Sequence, residues 1–165
     1  MKTIKGNLIT LAQQGEFDII VHGCNCFHAM GGGGIDKQLA EKFPQVEEAD
    51  KQTKFGDRKK LGSYSVATVE VNDTLFVILN AYTQYKWSSG SDVFEYDAFQ
   101  KFLNKIYLYI QTYKAGGKLS IGFPIIGAGR AGLAGGDWGR ISKMIEEFSE
   151  RVKDFAEVTV VEYQP

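Results

Sequence analysis

Two kinds of apolar pattern alternate along the chain. Largely apolar runs at residues 17–21 and 75–81 read as buried strands, the first on both faces, and residues 119–123 as a strand closed by Pro124. Residues 63–71 alternate and are rich in β-branched side chains. With a turn at Asn72-Asp73 they pair with 75–81 as a β-hairpin. Residues 158–161 close the chain as a strand, and residues 3–9 predict a short strand running into a turn at Gly6-Asn7. Between the strands the period becomes helical. Residues 35–43 have apolar positions at helical spacing. Pro44 opens a second helix, whose continuation over 45–54 reads as mostly solvated. Residues 95–114 place Phe99, Phe102, Leu103, Ile106 and Ile110 on one face of a long helix that Gly116-Gly117 stops. Asp137 is set to cap a helix running to residue 153. This alternation predicts an α/β fold, with a central mixed sheet and helices on both faces.

Composition narrows the classes. At 165 residues, with no internal repeat and no linker, residues 1–165 are expected to form one domain. The apolar fraction of 44% and charged fraction of 24% are those of an ordinary globular chain. Net charge is −1, and no basic stripe or basic amphipathic helix recommends nucleic acid or a membrane as partner. Neither a signal-peptide core nor a run long enough to span a bilayer is seen, so a cytoplasmic location is expected. Cys24 and Cys26 lie two apart, on one face of a strand. That suits neither a disulfide between them nor a zinc site, and they read as small buried residues. No ligand cluster calls for a metal, and no cofactor is expected.

The candidate chemistry gathers at glycines. A first run, Gly31-Gly32-Gly33-Gly34, follows the strand at 17–21 and precedes the helix at 35–43. A second segment, Ile126-Gly127-Ala128-Gly129-Arg130-Ala131-Gly132, follows the strand at 119–123 and precedes the helix that Asp137 caps. In an open α/β sheet such loops converge at the carboxyl ends of the strands, where a pair of them can clamp a diphosphate from two sides. Neither loop is a P-loop, and the Gly-x-Gly-x-x-Gly of the second comes too late for a dinucleotide fingerprint. His22 is either an acid–base group or a buried histidine bonded to backbone. Asn25 suits sugar hydroxyls or a turn. Asp36 either orders a water or favours the helix start. Asp137 has the same two readings, and His28 reads as an exposed loop residue. Tyr82, Tyr85, Trp87, Phe94 and Tyr96 gather around one aromatic, polar loop at 80–87 with a tip at 88–91, able to cover a base or a ribose.

Lys5-Gly6-Asn7-Leu8, Ile20-Val21-His22-Gly23-Cys24-Asn25-Cys26, Met30 with the glycines, Asn80-Ala81-Tyr82-Thr83-Gln84, and Ile126-Gly127-Ala128-Gly129 with Leu133-Ala134-Gly135-Gly136-Asp137-Trp138 resemble a macrodomain. They are most similar to the branch of yeast-type and phage ADP-ribose 1''-phosphate phosphatases. The resemblance implies a three-layer α-β-α sandwich, a monomer, and ADP-ribose or ADP-ribose 1''-phosphate as ligand. By position it implies that Asn7, flanked by Gly6 and Leu8, contacts the adenine amino group through its amide oxygen. Asn25 would hold the distal ribose. Gly32, Gly33, Gly34 and Ile35 would line one side of the diphosphate and distal ribose, and Gly127, Ala128, Gly129, Arg130, Ala131 and Gly132 the other. His22 and an acidic residue, Asp137 first and Asp36 second, would remove the phosphate without a metal. Four glycines followed by an aliphatic residue and Asp36 are instead similar to de-ADP-ribosylating macrodomains. Three functions follow: phosphatase, hydrolase of ADP-ribosylated protein or O-acetyl-ADP-ribose, and non-catalytic ADP-ribose binder.

Overall fold

The computed structural model describes residues 1–30, 34–86, 94–112, 117–128 and 135–165. Its strands are β1 (Lys2–Gly6), β2 (Ile19–Cys24), β3 (Tyr64–Val71), β4 (Thr74–Tyr82), β5 (Leu119–Phe123) and β6 (Ala156–Tyr163). They form a six-stranded sheet in the order β1-β6-β5-β2-β4-β3. Only β3 and β4 pair antiparallel; every other neighbouring pair is parallel. The described helices are α1 (Leu8–Gln13), α2 (Gly34–Lys42), α3 (Pro44–Lys51), α4 (Tyr96–Thr112) and α5 (Trp138–Arg151). No described helix is long and apolar enough to cross a membrane.

Strand periodicity sorts the core into two layers. Ile19 and Val21 of β2 and Val77, Leu79 and Ala81 of β4 join α4 and α5 through Phe99, Phe102, Ile106, Ile141, Ile145 and Phe148. The alternate residues, Ile20 and Cys24 of β2 and Phe76, Ile78 and Tyr82 of β4, face α1, α2 and α3 through Leu8, Leu39 and Val46. Helices therefore cover both faces of a mixed sheet, as the sequence pattern implies. The α2 that follows β2 and the α5 that follows β5 lie on opposite faces, although β2 and β5 are neighbours. The crevice outside their carboxyl ends is thus a topological switch point, where open α/β sheets receive ligands.

Four expectations change. Residues 7–13 are not the end of a strand and a turn. Asn7 caps α1, its Oδ1 accepting from the N–H groups of Ile9 (3.0 Å) and Thr10 (3.1 Å). A capping residue directly after a strand outweighs the apolar run behind it. β4 extends through Tyr82, so Asn80, Ala81 and Tyr82 belong to the sheet and are fully buried, not part of the aromatic loop. Polar residues there do not end the strand because each finds a buried partner. The stretch after Pro44 is helical only to Lys51, and it is not simply solvated: Val46 and Asp50 point into the core. The last strand is twice the expected span, because β6 pairs on both sides, with β1 and β5.

Candidate functional site

β1, β6, β5, β2 and β4 run parallel, so their carboxyl ends share one edge of the sheet. That edge gathers Asn7 after β1, Asn25 after β2, Thr83 after β4 and Gly127 after β5. Gly127 has φ +76°, and a Cβ there would stand 2.5 Å from the Phe94 ring, so only glycine fits. The Gly136 N–H donates to the Gly127 carbonyl at 3.0 Å and closes the base of the second glycine segment. Ala128 packs on the core. Gly129, Arg130, Ala131 and Gly132, like Gly32 and Gly33 of the first run, Trp87 and the tip at 88–91, lie outside the described residues.

The centre of the site is a row of side chains across three strands. His22 of β2 is in register with Asn80 of β4, and Asn80 with Ser65 of β3. All three share the face toward α2 and α3. His22 is completely buried. Its Nδ1 lies 2.9 Å from Oδ1 of Asp36, in the first turn of α2, and its Nε2 lies 2.6 Å from Oδ1 of Asn80. Of the ion pair only Asp36 reaches solvent, its side chain 30% exposed. Burial works against a charged ring, yet the hydrogen bond and charge of Asp36, with the bond to Asn80, outweigh it and hold the His22 pKa above the ordinary 6.5. Cys24 packs beside the ring, its Sγ 3.5 Å from Nε2. Burial pushes its thiol well above the usual range and the Cys26 thiol to about 11, so both are neutral, buried and free.

The other sequence candidates take definite places. Asp137 is exposed and caps α5 by accepting from the Gly139 N–H at 3.0 Å, while its own N–H donates to the Tyr96 hydroxyl. The structure thus joins His22 to Asp36 and gives Asp137 to the helix cap. Asn25 builds the turn after β2: its Oδ1 accepts from Phe27 N–H at 2.8 Å, and its Nδ2 donates to Ala29 O at 2.6 Å. Asn7 also lines an open groove of about 330 Å³ between α1 and α2, with Ile9, Thr10, Gln38, Glu41 and Lys42. Leu8 is buried in the core beneath it, and Gly6 lies against Leu11 and Val161. Gly34 opens α2 with φ +64°, and Ile35 packs on the core behind Asp36. His28 is not simply an exposed loop residue. It is half-buried with φ +56°, and its Nε2 sits 2.9 Å from the Thr53 carbonyl. Of the aromatics, Tyr82 and Phe94 belong to the core, while Tyr85 and Tyr96 carry Arg58 and Arg140 on their rings.

Sequence reasoning missed Asn80, Ser65 and Asp50 as parts of the site, and Thr83 as well. Thr83 is fully buried, and its Oγ1 has no hydrogen-bond partner among the described residues. A signal was present: polar residues inside apolar strand runs, at matching phase on neighbouring strands.

No protein-family model matches the chain. An uncharacterized 17.5 kDa protein in the tk-vs intergenic region of Enterobacteria phage T4 is 35% identical over 166 residues, covering 100% of this chain and 97% of the phage protein. The chain belongs to the same family as that phage protein. A solved protein of unknown function from Bacteroides thetaiotaomicron matches with TM-score 0.77 at 27% identity, covering 98% of this chain and 96% of that one. The macrodomain of Thermus aquaticus DarG matches with TM-score 0.70 at 22% identity, covering 99% and 97%. The fold is that of a macrodomain. Thermosipho africanus DarTG in complex with ADP-ribose shares the macrodomain fold with TM-score 0.68 at 16% identity, over 90% of this chain and 39% of that one. The macrodomain sandwich of this chain presents its switch-point crevice between β2 and β5, beside the His22–Asp36 pair.

Proposed function

We propose that this macrodomain binds ADP-ribose and hydrolyses ADP-ribose 1''-phosphate to ADP-ribose and phosphate. The observation that carries the reading is the His22–Asp36 pair, in which a buried ring holds a partly exposed carboxylate directly behind the first glycine run. The likeness to macrodomains, one of them solved with ADP-ribose, supports the choice of ligand. The diphosphate lies between the two glycine segments, where backbone N–H groups meet it. Gly34, Ile35, Gly127 and Ala128 line it, together with Gly32, Gly33, Gly129, Arg130, Ala131 and Gly132. Asn25 shapes the turn under the distal ribose. The adenine lies beside Gly6, Asn7 and Leu8. With Oδ1 committed to the helix cap, Asn7 offers its Nδ2 hydrogens to a ring nitrogen of the base.

Asp36 accepts a proton from a water and directs its oxygen at the anomeric carbon of the distal ribose. The C1''–O bond breaks, phosphate leaves the monoanionic ester as HPO4²⁻, the water oxygen becomes the anomeric hydroxyl, and Asp36 returns its proton to solvent. Charge decides between the anomeric carbon and phosphorus as the point of attack. A carboxylate about 4 Å from a unit anion is opposed by roughly 4 kcal/mol near a protein surface. The same carboxylate attracts an oxocarbenium-like centre. His22, with both ring nitrogens engaged, serves here by holding Asp36, and Asp137 by capping α5. A second reading keeps this chemistry with another leaving group: a carboxylate ester of ADP-ribose on a protein or on acetate. The partial exposure of Asp36 favours it equally.

Phosphate release from ADP-ribose 1''-phosphate, run in ¹⁸O water, tests the reading. The expected result is release with unlabelled phosphate. Labelled phosphate would place attack at phosphorus, and release of ADP-ribose from a modified protein instead would favour the second reading. Binding with no turnover of either substrate would leave only an ADP-ribose binder. Thr83 supplies a separate check. Its buried hydroxyl, without a partner among the described residues, costs about 1 kcal/mol. Thr83→Val should therefore leave the melting temperature unchanged or raised, while calorimetry shows ADP-ribose affinity falling about tenfold if the hydroxyl meets the ligand.

A further inference from the structure

The bonds around Asn80 have a fixed direction. Its Nδ2 donates to the Val46 carbonyl at 3.1 Å and to Ser65 Oγ at 2.9 Å. A carbonyl can only accept, so the amide cannot be turned without facing two oxygens. The Ser65 end agrees. Burial keeps the Tyr82 phenol protonated, and it donates to Oδ1 of the buried Asp50 at 2.7 Å. The Ser65 hydroxyl, 2.9 Å from the Tyr82 oxygen, gives its hydrogen there and keeps a lone pair for Asn80. The Asn80 oxygen must then face His22 Nε2, as it does at 2.6 Å. On the other side of the ring stands the Asp36 carboxylate, also an acceptor. A ring between two acceptors is satisfied only when both nitrogens carry hydrogen.

We propose that Asn80 is a positioning residue for Asp36: its fixed amide oxygen makes His22 donate from both ring nitrogens, and the resulting imidazolium holds the Asp36 carboxylate toward the crevice. The groups facing the ring agree with a cation there. Asp36 comes from α2, Asp50 from α3, neutral Cys24 from the same strand and neutral Asn80 from β4, while the Lys60 ammonium sits over the Tyr82 ring at 4.6 Å. A positive ring bonded to Asp36 and attracted by the charge of Asp50 also explains why a strand buried on both faces tolerates a histidine. The proposal deepens the functional reading given above and rests on it for the role of Asp36, but not for the state of His22.

The test is ¹⁵N NMR of the histidine side chains in the full chain, with His28→Gln to assign the two rings. At pH 6.5, where an ordinary histidine is half protonated, His22 should carry hydrogen on both nitrogens. Asn80→Leu removes the acceptor. His22 should then become a neutral ring at that pH, and kcat for phosphate release should fall roughly a hundredfold with KM little changed. Asn80→Asp keeps the acceptor toward His22 and should retain the doubly protonated ring and more of kcat than Asn80→Leu, at a lower melting temperature because its second oxygen faces the Val46 carbonyl. A merely structural Asn80 would leave both variants equally impaired with His22 in one state, which overturns the proposal. Should Asn80→Leu fail to fold, the wild-type spectrum decides alone, since a bare ring nitrogen on His22 overturns it too. An imidazolium spectrum that Asn80→Leu abolishes, in a protein with no turnover, upholds the Asn80–His22 link and defeats the hydrolase reading instead.

Discussion

Asp36→Ala should lower turnover of ADP-ribose 1''-phosphate by about 10²–10⁴ while ADP-ribose affinity changes little, as read by steady-state phosphate release and calorimetry. The reasoning is geometric. Asp36 is the member of the ion pair that reaches solvent, and it sits in the first turn of α2, where the helix N-terminus favours its negative charge. On the proposed reading the diphosphate meets the glycine segments and not the Asp36 side chain. Asp36→Asn keeps the bond to His22 but cannot take a proton from water, so it should be as slow as alanine. Equal loss of binding and turnover would instead make Asp36 a structural residue.

The same substitution reports on stability through pH. The His22 pKa is raised above 6.5 in the folded protein, so the stabilisation from its pairing is fully present below about that value and is lost as pH rises through the folded pKa. Wild-type unfolding free energy from urea titrations should therefore decline from about pH 6 toward alkaline pH. Asp36→Ala should flatten that decline. A wild-type stability that rises over this interval, with the slope unchanged in the variant, would contradict the pairing.

Gly127→Ala should destabilise the protein by about 2–4 kcal/mol and strip it of ADP-ribose binding. Two effects add. An L-residue at φ +76° is strained, and the new Cβ would meet the Phe94 ring at 2.5 Å. Phe94 cannot retreat freely, because it packs edge-on against Tyr96 and tilted against Phe99. In a chain of this size the expected drop in melting temperature is roughly 5–15 °C. The Gly136 N–H, which closes the second glycine segment on the Gly127 carbonyl, moves with it, so binding is lost even where the protein still folds. A variant that melts like wild type and binds ADP-ribose would show that this turn is not under the stated constraint.

The layered α/β plan was legible because strand burial writes itself as largely apolar runs. Ile19, Ile20 and Val21 face opposite layers in turn, and all are fully buried. The helix face of Phe99, Phe102, Leu103, Ile106 and Ile110 was legible for the same reason, with period changed. What failed was local competition. Asn7 reads as a turn residue by type, and only the three-dimensional path shows its side chain capping α1. Asn80 and Tyr82 read as leaving the sheet because polarity usually marks a strand end; here β4 carries them inward to partners on β2, β3 and α3. In the site itself, His22 and Asp36 were both named from the sequence, yet their pairing was not. Fourteen residues separate them, and the glycine run between them leaves the return path of the chain unspecified. Asp137 reads from the sequence as an acid or a helix cap, and the structure shows it as the cap, accepting from the Gly139 N–H.

The most direct measurement is a calorimetric titration of ADP-ribose into the wild-type protein and into Asp36→Ala. The account predicts saturable one-to-one binding with similar affinity in both, and phosphate release from ADP-ribose 1''-phosphate in the wild type alone. Absence of ADP-ribose binding in the wild type would contradict it.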